Sequence, residues 1–454
     1  MPPLRSAALC VLRFALPFGA LAPAAAAQPF AFGSADDPLE PGARRPGRLT
    51  TTVAAYAGPA WIGGTWRLAL AAEAEGYAGP LSAALGGALH PGPGGLYDAE
   101  ADEAYDLARV VRYLRHEPRP GVPLYARLGP TQHLDLGVGH LVRDFGTTAA
   151  WDERDLGAEA MVRTGFGSIA AFTDDVRLDG VVGAQVEIEP LTRSTDTRLR
   201  SLRLAAGAVH DFALGGDSAV TAVSADVRVA LFELGGLRLS PFASYARYLQ
   251  HGQGVGLGAD FGANELAGMA RLRLRMALFV SGEGFIPGYF GPLYTVSHND
   301  RRIVLSDTYY DDDPSTSLEG VSLDDVTRGV DLVTELRVLT FGALLLHTYF
   351  RRHYGGGERL SEFTLRLAAQ PRATEGVRFA FVVQREALGG FFSIFGPLED
   401  RNTLLFEIAS PVGPAHLHLR ARYGYLRLPD DAEGHRRFLV ERRFEPLVGL
   451  RVPL

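Results

Sequence analysis

The stretch Leu266-Ala-Gly-Met-Ala270-Arg-Leu-Arg-Leu-Arg275-Met-Ala-Leu-Phe-Val280-Ser-Gly-Glu283 decides the fold. Arg271, Arg273 and Arg275 fall at every second position, and Ala270, Leu272, Leu274, Met276, Leu278 and Val280 occupy the places between. An extended strand points successive side chains to opposite faces, so this segment presents one apolar face and one face of three guanidiniums. Wound as a helix, at about 100° per residue, the same arginines would scatter around the circumference. The segment reads as a strand.

The same rhythm recurs along the chain. Leu417, Leu419, Ala421, Tyr423 and Tyr425 alternate with His416, His418, Arg420 and Arg422; Val182, Ala184, Val186 and Ile188 alternate with Gly183, Gln185, Glu187 and Glu189; Phe363, Leu365 and Leu367 alternate with Glu362, Thr364 and Arg366. So many two-faced strands in a soluble sandwich would need an equally large dry core. A closed barrel in a membrane inverts the arrangement, with apolar faces toward lipid, polar faces toward a lumen, and every backbone hydrogen bond made between strands. The expected fold is therefore an all-β transmembrane antiparallel up-and-down barrel of roughly 16 to 20 strands, at about 20 to 25 residues per strand and connection.

Other features set the compartment. Residues 1–27 read as a signal peptide: Arg5 and Arg13 supply the positive region, Phe14 to Ala22 the apolar core, and Ala25-x-Ala27 the cleavage site before Gln28. Cys10, the single cysteine, leaves with that peptide, so the mature chain has no thiol for a disulfide, nucleophile or metal. Past the N-terminus no long uninterrupted apolar run occurs, which argues against membrane-spanning helices. All 45 basic residues are arginine, so chemistry that requires lysine is excluded. The net charge of -7 argues against nucleic acid as a partner. The expected location is the cell outer membrane, with outer-membrane lipid, lipopolysaccharide, the barrel-assembly machinery and small polar solutes as partners.

Residues 28–48 read as a flexible leader and 49–454 as the barrel. Within 98–117, Asp98 to Arg109 has helical spacing, but a strand through Arg109-Val-Val-Arg-Tyr-Leu-Arg115, followed by a turn, keeps the sheet continuous and fits its neighbours better. Pro123-Leu-Tyr-Ala-Arg-Leu-Gly129 is followed by Leu134-Asp-Leu-Gly-Val-Gly-His-Leu-Val-Arg-Asp-Phe145, where alternation again suggests a strand. From about Arg109 to Phe145 these two segments resemble a group of uncharacterised bacterial outer-membrane proteins of porin-like type. That resemblance implies a barrel and supplies no activity. Residues 284–325, with Pro287-Gly288, Gly291-Pro292 and Asp311-Asp312-Asp313, form the longest irregular stretch and are expected on the extracellular side. Strands are expected to resume at about 326–339 and to continue to 438–453, where Val448, Leu450, Val452 and Leu454 alternate as a closing strand does.

No catalytic pattern is present: there is no His-Glu-x-x-His and no Gly-x-Ser-x-Gly, so no enzyme, cofactor or metal is expected. Gly254, Gly256 and Gly258 suit a small-residue strand face better than a phosphate cradle. Asp311–Asp313, Asp324 and Asp325 lack the spacing of a calcium loop and read as solvated surface. The lumen-lining candidates are Arg271, Arg273, Arg275, Arg420 and Arg422, an anion-attracting ladder that the acids Glu187, Glu335 and Glu362 would otherwise neutralise. His416 and His418 share their strand face. Tyr245, Tyr248, Tyr289, Phe290, Tyr349, Phe350, Tyr423 and Tyr425 suit an interfacial girdle. Together these features point to a porin-like channel for small polar or anionic solutes, or to a structural barrel with a blocked lumen and a partner-binding loop.

Overall fold

Twenty strands close into an antiparallel up-and-down barrel in the computed structural model of the chain. The structure describes residues 50–453 apart from 98–109, 119–120, 132, 151–154, 213–218, 267–268, 298–300, 305–316, 320, 342–343, 357–360, 370–376, 399 and 429–435. The signal peptide, the leader, the Asp98–Arg109 portion, Asp311–Asp313 and Leu454 lie outside the described residues. In chain order the barrel strands are β1 (Thr50–Ile62), β2 (Thr65–Ala78), β3 (Leu81–Leu89), β4 (Val111–His116), β5 (Leu124–Gly129), β6 (Gly157–Thr164), β7 (Gly167–Thr173), β8 (Val181–Ile188), β9 (Arg203–Asp211) and β10 (Thr221–Arg228). They continue as β11 (Leu237–Tyr248), β12 (Gln253–Leu266), β13 (Ala270–Ser281), β14 (Gly329–Thr340), β15 (Leu344–Gly355), β16 (Ser361–Ala369), β17 (Arg378–Leu388), β18 (Asn402–Val412), β19 (Ala415–Leu428) and β20 (Arg436–Pro453). Each pairs with its sequence neighbour, and β1 meets β20 from Thr52 opposite Pro453 to Ile62 opposite Arg443. That pairing satisfies the last open edges, as a hydrocarbon surround requires.

Burial follows the two-residue rhythm. On β13, Met276, Leu278 and Val280 are exposed, whereas Arg275, Ala277, Phe279 and Ser281 are buried. On β20, Val448, Leu450 and Val452 are exposed and Glu445 and Leu447 buried. The exposed leucines and valines of neighbouring strands, including Leu68, Leu70, Leu85, Leu257 and Leu417, form an outward apolar band, as in a membrane barrel. Phe279 shows that the inner face is not wholly polar: it faces segments folded into the barrel. Gly254, Gly256 and Gly258 share that face on β12, where an added Cβ would strike the rings of Phe285, Phe279 and Phe242. The glycines make room for inward phenylalanines.

Connections alternate between two rims. Gly63 and Gly64 turn β1 into β2 with φ of 53° and 85°, a left-handed pair suited to a two-residue hairpin. This turn shares its rim with the long connections 130–156 and 282–328; the opposite rim carries the Thr50 end of β1, the Pro453 end of β20 and tight turns such as Gly413. Val111–His116 is a strand, as the hairpin reading expects.

The segment 133–145, expected as a strand, is instead an inward-folded turn. Leu134 and Phe145 exchange backbone hydrogen bonds at 3.0 Å, while His133, Gly137, Gly139 and Asp144 all have positive φ, between 49° and 77°. Leu134, Leu136, Val138 and also Asp135 are buried. Alternation here reflects burial on all sides rather than two faces. Residues 285–296 likewise turn into the barrel, with Phe285, Phe290, Leu293 and Tyr294 fully enclosed; each such side chain contributes on the order of 1.5–3 kcal/mol. The same connection then returns to the wall, where Arg301–Val304 pairs in parallel with Arg436–Leu439 of β20, beyond the reach of β1.

An arginine on the outward band should be far costlier than one on the rim. Leu257→Arg is expected to destabilise the folded barrel by roughly 2–4 kcal/mol, against under about 0.5 kcal/mol for Leu199→Arg on the short-turn rim, measured by denaturant titration in lipid vesicles. Equal costs would contradict a lipid-facing band.

Candidate functional site: the braced lumen

The connection 130–150 leaves β5 and crosses the barrel to the opposite wall. Gly137 N–H donates to the Gln185 side chain of β8 at 2.9 Å, and His140 Nδ1 lies 3.0 Å from the Ser244 hydroxyl of β11. The Val138 carbonyl accepts from Arg275 of β13 at 2.9 Å. At the far side, Arg143 Nη2 meets Glu335 of β14 at 2.6 Å, and its guanidinium lies 4.4 Å from the Tyr349 ring centre of β15. Asp135 receives Arg337 of β14 at 2.6 Å. Further along, Arg422 of β19 donates to the Ala149 carbonyl at 3.0 Å.

Within this hub each charge has an opposite neighbour. Arg337 Nε also lies 2.5 Å from Glu335, and His347 Nε2 lies 3.2 Å from the same carboxylate. The Asp144 N–H donates to Asp135 at 2.7 Å, and His133 Nδ1 lies 2.7 Å from the Asp144 carboxylate. Burial alone would raise the Asp144 acid, but the adjoining His133 imidazole outweighs it and holds the pKa at about 2.

The second inward segment packs on the first. Arg143 N–H donates to the Phe290 carbonyl at 3.0 Å, Phe290 N–H to Leu141 at 3.2 Å and Gly288 N–H to His140 at 3.0 Å. Tyr248 donates to the Ile286 carbonyl at 2.7 Å, Tyr294 to Asp211 at 2.5 Å, and Arg351 to Pro287. On the side of β5–β11 the two segments join inward residues such as Tyr125, Phe172, Val209 and Tyr248 in one apolar cluster. The inner face of β16–β20 and β1–β2 is instead charged, with Glu73, Arg366, Arg378, Glu407, Arg420 and Glu445. Toward β5–β11 the lumen is therefore filled by an apolar cluster, with ions at the short-turn ends of β8–β10, where Glu187 meets Arg203 and Arg228; toward β16–β20 and β1–β2 ions line much of the wall.

The lining expected from the sequence is redistributed among partners. Arg273 and Arg275 both pair with Asp260, at 3.2 Å and 2.6 Å, while Arg271 is exposed at the short-turn end of β13. Arg420 lies 3.4 Å from Glu445 and 3.7 Å from Glu407. Strands β14 to β18 separate the two arginine groups, so they do not form one ladder. The acids serve other arginines than expected: Glu187 meets Arg228 at 2.7 Å, Glu335 meets Arg143 and Arg337, and Glu362 meets Arg351 at 2.9 Å. His418 lies 3.0 Å from Glu407 and edge-on to Tyr56; His416, partly buried, shares its strand face.

The aromatic girdle also needs correction, since Tyr248, Tyr289, Phe290, Tyr349, Tyr423 and Tyr425 are buried. Tyr248, Tyr289, Phe290 and Tyr349 are held by the inward segments, whereas Tyr423 and Tyr425 lie on the flank of β19 opposite Arg422 and are covered there, Tyr425 donating to the Asp400 carbonyl at 2.6 Å; Tyr245 is exposed, and Phe350 lies on the outward face.

Asp135, Arg143, Asp144, Asp260, Arg337 and His347 were not singled out from the sequence, and Tyr349 was read as part of the girdle. The signal available was the charge on both flanks of Leu134–Phe145, Asp135 and Arg143 on one and His140 and Asp144 on the other, which a strand with one lipid-facing flank would not carry.

No family model and no curated protein matches the chain. Among solved structures it is similar to OpdL of Pseudomonas aeruginosa, at 12% identity and a TM-score of 0.34, over 89% of this chain and 98% of that one. It is also similar to OpdK of Pseudomonas aeruginosa with vanillate, at 9% identity and 0.32 over 89% and 99%. OccK2 (OpdF) of the same organism in complex with glucuronate gives 10% and 0.30 over 90% and 96%. These scores are low, and the twenty-strand barrel stands on its own strand pairing.

Two outcomes test the brace. Arg143→Leu leaves Glu335 short of a buried partner and should release the 134–145 segment at a cost of up to roughly 3–5 kcal/mol, seen as faster amide exchange there with the strands unchanged; adding Glu335→Leu should restore part of the protection. The second concerns acid. Burial pushes the His140 pKa down to about 3, an effect that nearby Asp331 opposes only in part. Its docked form binds fewer protons than a free imidazole, so its contribution is whole above about pH 6.5 and fades as pH falls toward 3. Exchange protection of 134–145 should fall across that window, and less steeply in His140→Gln.

Proposed function

We propose that the chain is a narrow porin-like channel of the cell outer membrane, exported through the signal peptide at 1–27, with the long-loop rim facing the cell exterior. The observation that carries this reading is the charged side of the lumen: part of it stays wetted, with the side chains of Arg420 and Arg451 at 23% and 24% exposure, while Arg366, Arg378 and Glu445 are buried. A barrel sealed throughout would gain nothing from charges there, because burying them is costly. Water and small polar solutes would pass on that side, beside the brace. Anionic groups would be drawn by exchange onto guanidiniums already paired with Glu407, Glu445 and Asp260, so selectivity would depend on how readily those pairs open. Arg271, Arg273, Arg275, Arg420, Arg422, His416, His418, Glu187, Glu335 and Glu362 are the proposed lining. Outer-membrane lipid, lipopolysaccharide and the barrel-assembly machinery are the proposed surroundings.

The apolar cluster that fills the other side favours a second reading, a barrel whose lumen is blocked and whose outer loops bind a partner. Planar-bilayer recording separates the two. The channel reading expects small, resolved conductance steps, increased severalfold when 134–145 is replaced by a short Gly-Ser link. Silence in both forms would overturn it and favour the blocked barrel.

A further inference from the structure

The connection between β17 and β18 folds back over the outside of the wall. Arg385 sits opposite Phe363 on β16, which sits opposite Phe350 on β15. All three are on the outward face, since Tyr349, Arg351, Glu362 and Thr364 between them are buried inward. Arg385 is nevertheless only 3% exposed, because the loop covers it. Its guanidinium donates to the carbonyls of Ile394 at 2.7 Å, Gly396 at 3.0 Å and Pro397 at 2.5 Å, and its Nε donates to Asn402 at 3.0 Å. One cation thus pins three carbonyls of the short helix Phe391–Phe395 and its exit to the exterior of the barrel.

What this helix then presents is unusual. Phe391, Phe392 and Phe395 are 55%, 86% and 76% exposed, and Phe391 stands edge-on to Phe350 at 5.7 Å. The aromatic patch is therefore continuous with the apolar band of the wall. Beside it, along Pro397 and Leu398, lies an open pocket of about 400 Å³ whose lining also includes Leu404, Tyr423, Arg442 and, from the inward flank, Arg422. Leu404, Tyr423 and Arg442 are opposite one another on β18, β19 and β20, and the Arg442 guanidinium lies 5.8 Å from the Tyr423 ring centre. On the other flank, Arg352 lies on the same outward face as Phe350, with one N–H on the Gly389 carbonyl at 2.8 Å and its head 5.6 Å from the Tyr354 ring centre.

We propose that the Phe391–Phe395 foot and the pocket beside it form a docking site for an anionic, phosphate-bearing lipid of the outer leaflet, with its acyl chain against the phenyl rings and its phosphate at Arg442, which lines the pocket. The occupant follows from continuity and charge: the patch extends a surface already turned to acyl chains, and the pocket at its border carries a guanidinium suited to phosphate. Three exposed phenylalanines in water would be an aggregation liability; among acyl chains they are an anchor. The site rests on the membrane orientation proposed above but not on whether the lumen conducts, so a silent barrel leaves it standing.

Phe392→Trp reports on the foot, read as a difference against the parent to remove the native tryptophans. In vesicles of brominated lipids, residue 392 should emit to the blue and be quenched most by bromines near the top of the acyl chain. Water-like, unquenched emission would overturn the proposal. In vesicles, Arg442→Gln should weaken the preference for phosphatidylglycerol over phosphatidylcholine about fivefold, measured as retained lipid by mass spectrometry, with inorganic phosphate failing to compete. An unchanged preference would overturn the phosphate contact. Should the wild type instead be a dimer that Phe392→Asp with Phe395→Asp converts to monomer, the occupant is a second copy and the lipid site falls. Retained heat-modifiable gel mobility shows that each variant is a folded barrel.

Discussion

A strand surrounded by hydrocarbon has nowhere to place an unpaired amide, and the pairing of β1 with β20 removes the last two edges at which that would happen. Everything else is arranged around this closure. It fixes an even number of strands, brings the start of β1 and the end of β20 to one rim and gives every strand one flank toward lipid and one toward the interior. It also explains a place where the wall departs from simple neighbour pairing. Strand β1 stops at Ile62, opposite Arg443, whereas β20 continues back to Arg436. The exposed stretch of β20 takes Arg301–Val304 as a parallel partner, so an open edge is covered by a loop rather than left bare.

Closing so many strands creates a second problem, an interior too wide for wall side chains to fill. The chain answers it differently on its two sides. Opposite β5–β11 the inward segments bring aromatic and aliphatic side chains, and glycines at 254, 256 and 258 let Phe285, Phe279 and Phe242 seat against β12. That side is packed as a soluble core is. Opposite β13–β15 the same 130–150 connection is held by ion pairs and carbonyl contacts. The polarity of the lumen is thus not a property of alternate strand positions alone; it depends on which positions the loops cover.

This is also the line between what the sequence discloses and what it does not. The alternation in Ala270–Ser281 and at the end of β20 reports a lipid-facing flank directly, because lipid contact constrains every second residue and nothing else. The strand at Val111–His116 was legible for another reason, the hairpin that keeps the sheet continuous with its neighbours. Leu134–Phe145 has the same alternation and is no strand, since its apolar residues are enclosed by phenyl rings and wall rather than by lipid, and its left-handed positions at His133 and Asp144 leave no mark on the period. The lining suffered similarly. Arginines on β13 were legible as inward, but the choice of Asp260 over Glu335 as their partner, and of Arg143 as the partner of Glu335, is set by a loop that approaches from the far wall. Periodicity along a strand carries no information about that approach.

The manner in which the brace is fastened has a physical consequence. Arg143 and Asp135 on the loop have opposite charges, as do Glu335 and Arg337 on β14, and Arg337 is already in contact with Glu335. If the loop withdrew, each side would keep an internal neutralising pair, and water entering the lumen would solvate the remainder; neither surface would be left with an unbalanced buried charge, which is the expensive outcome. The apolar contacts with Tyr125, Phe172 and Tyr248 have no such alternative, because separating them exposes aromatic surface to water. Opening is therefore easier at the ion-paired end of the brace than at the apolar end, and a widening of the passage would proceed from the β14–β15 wall, on the side where the lumen is already charged.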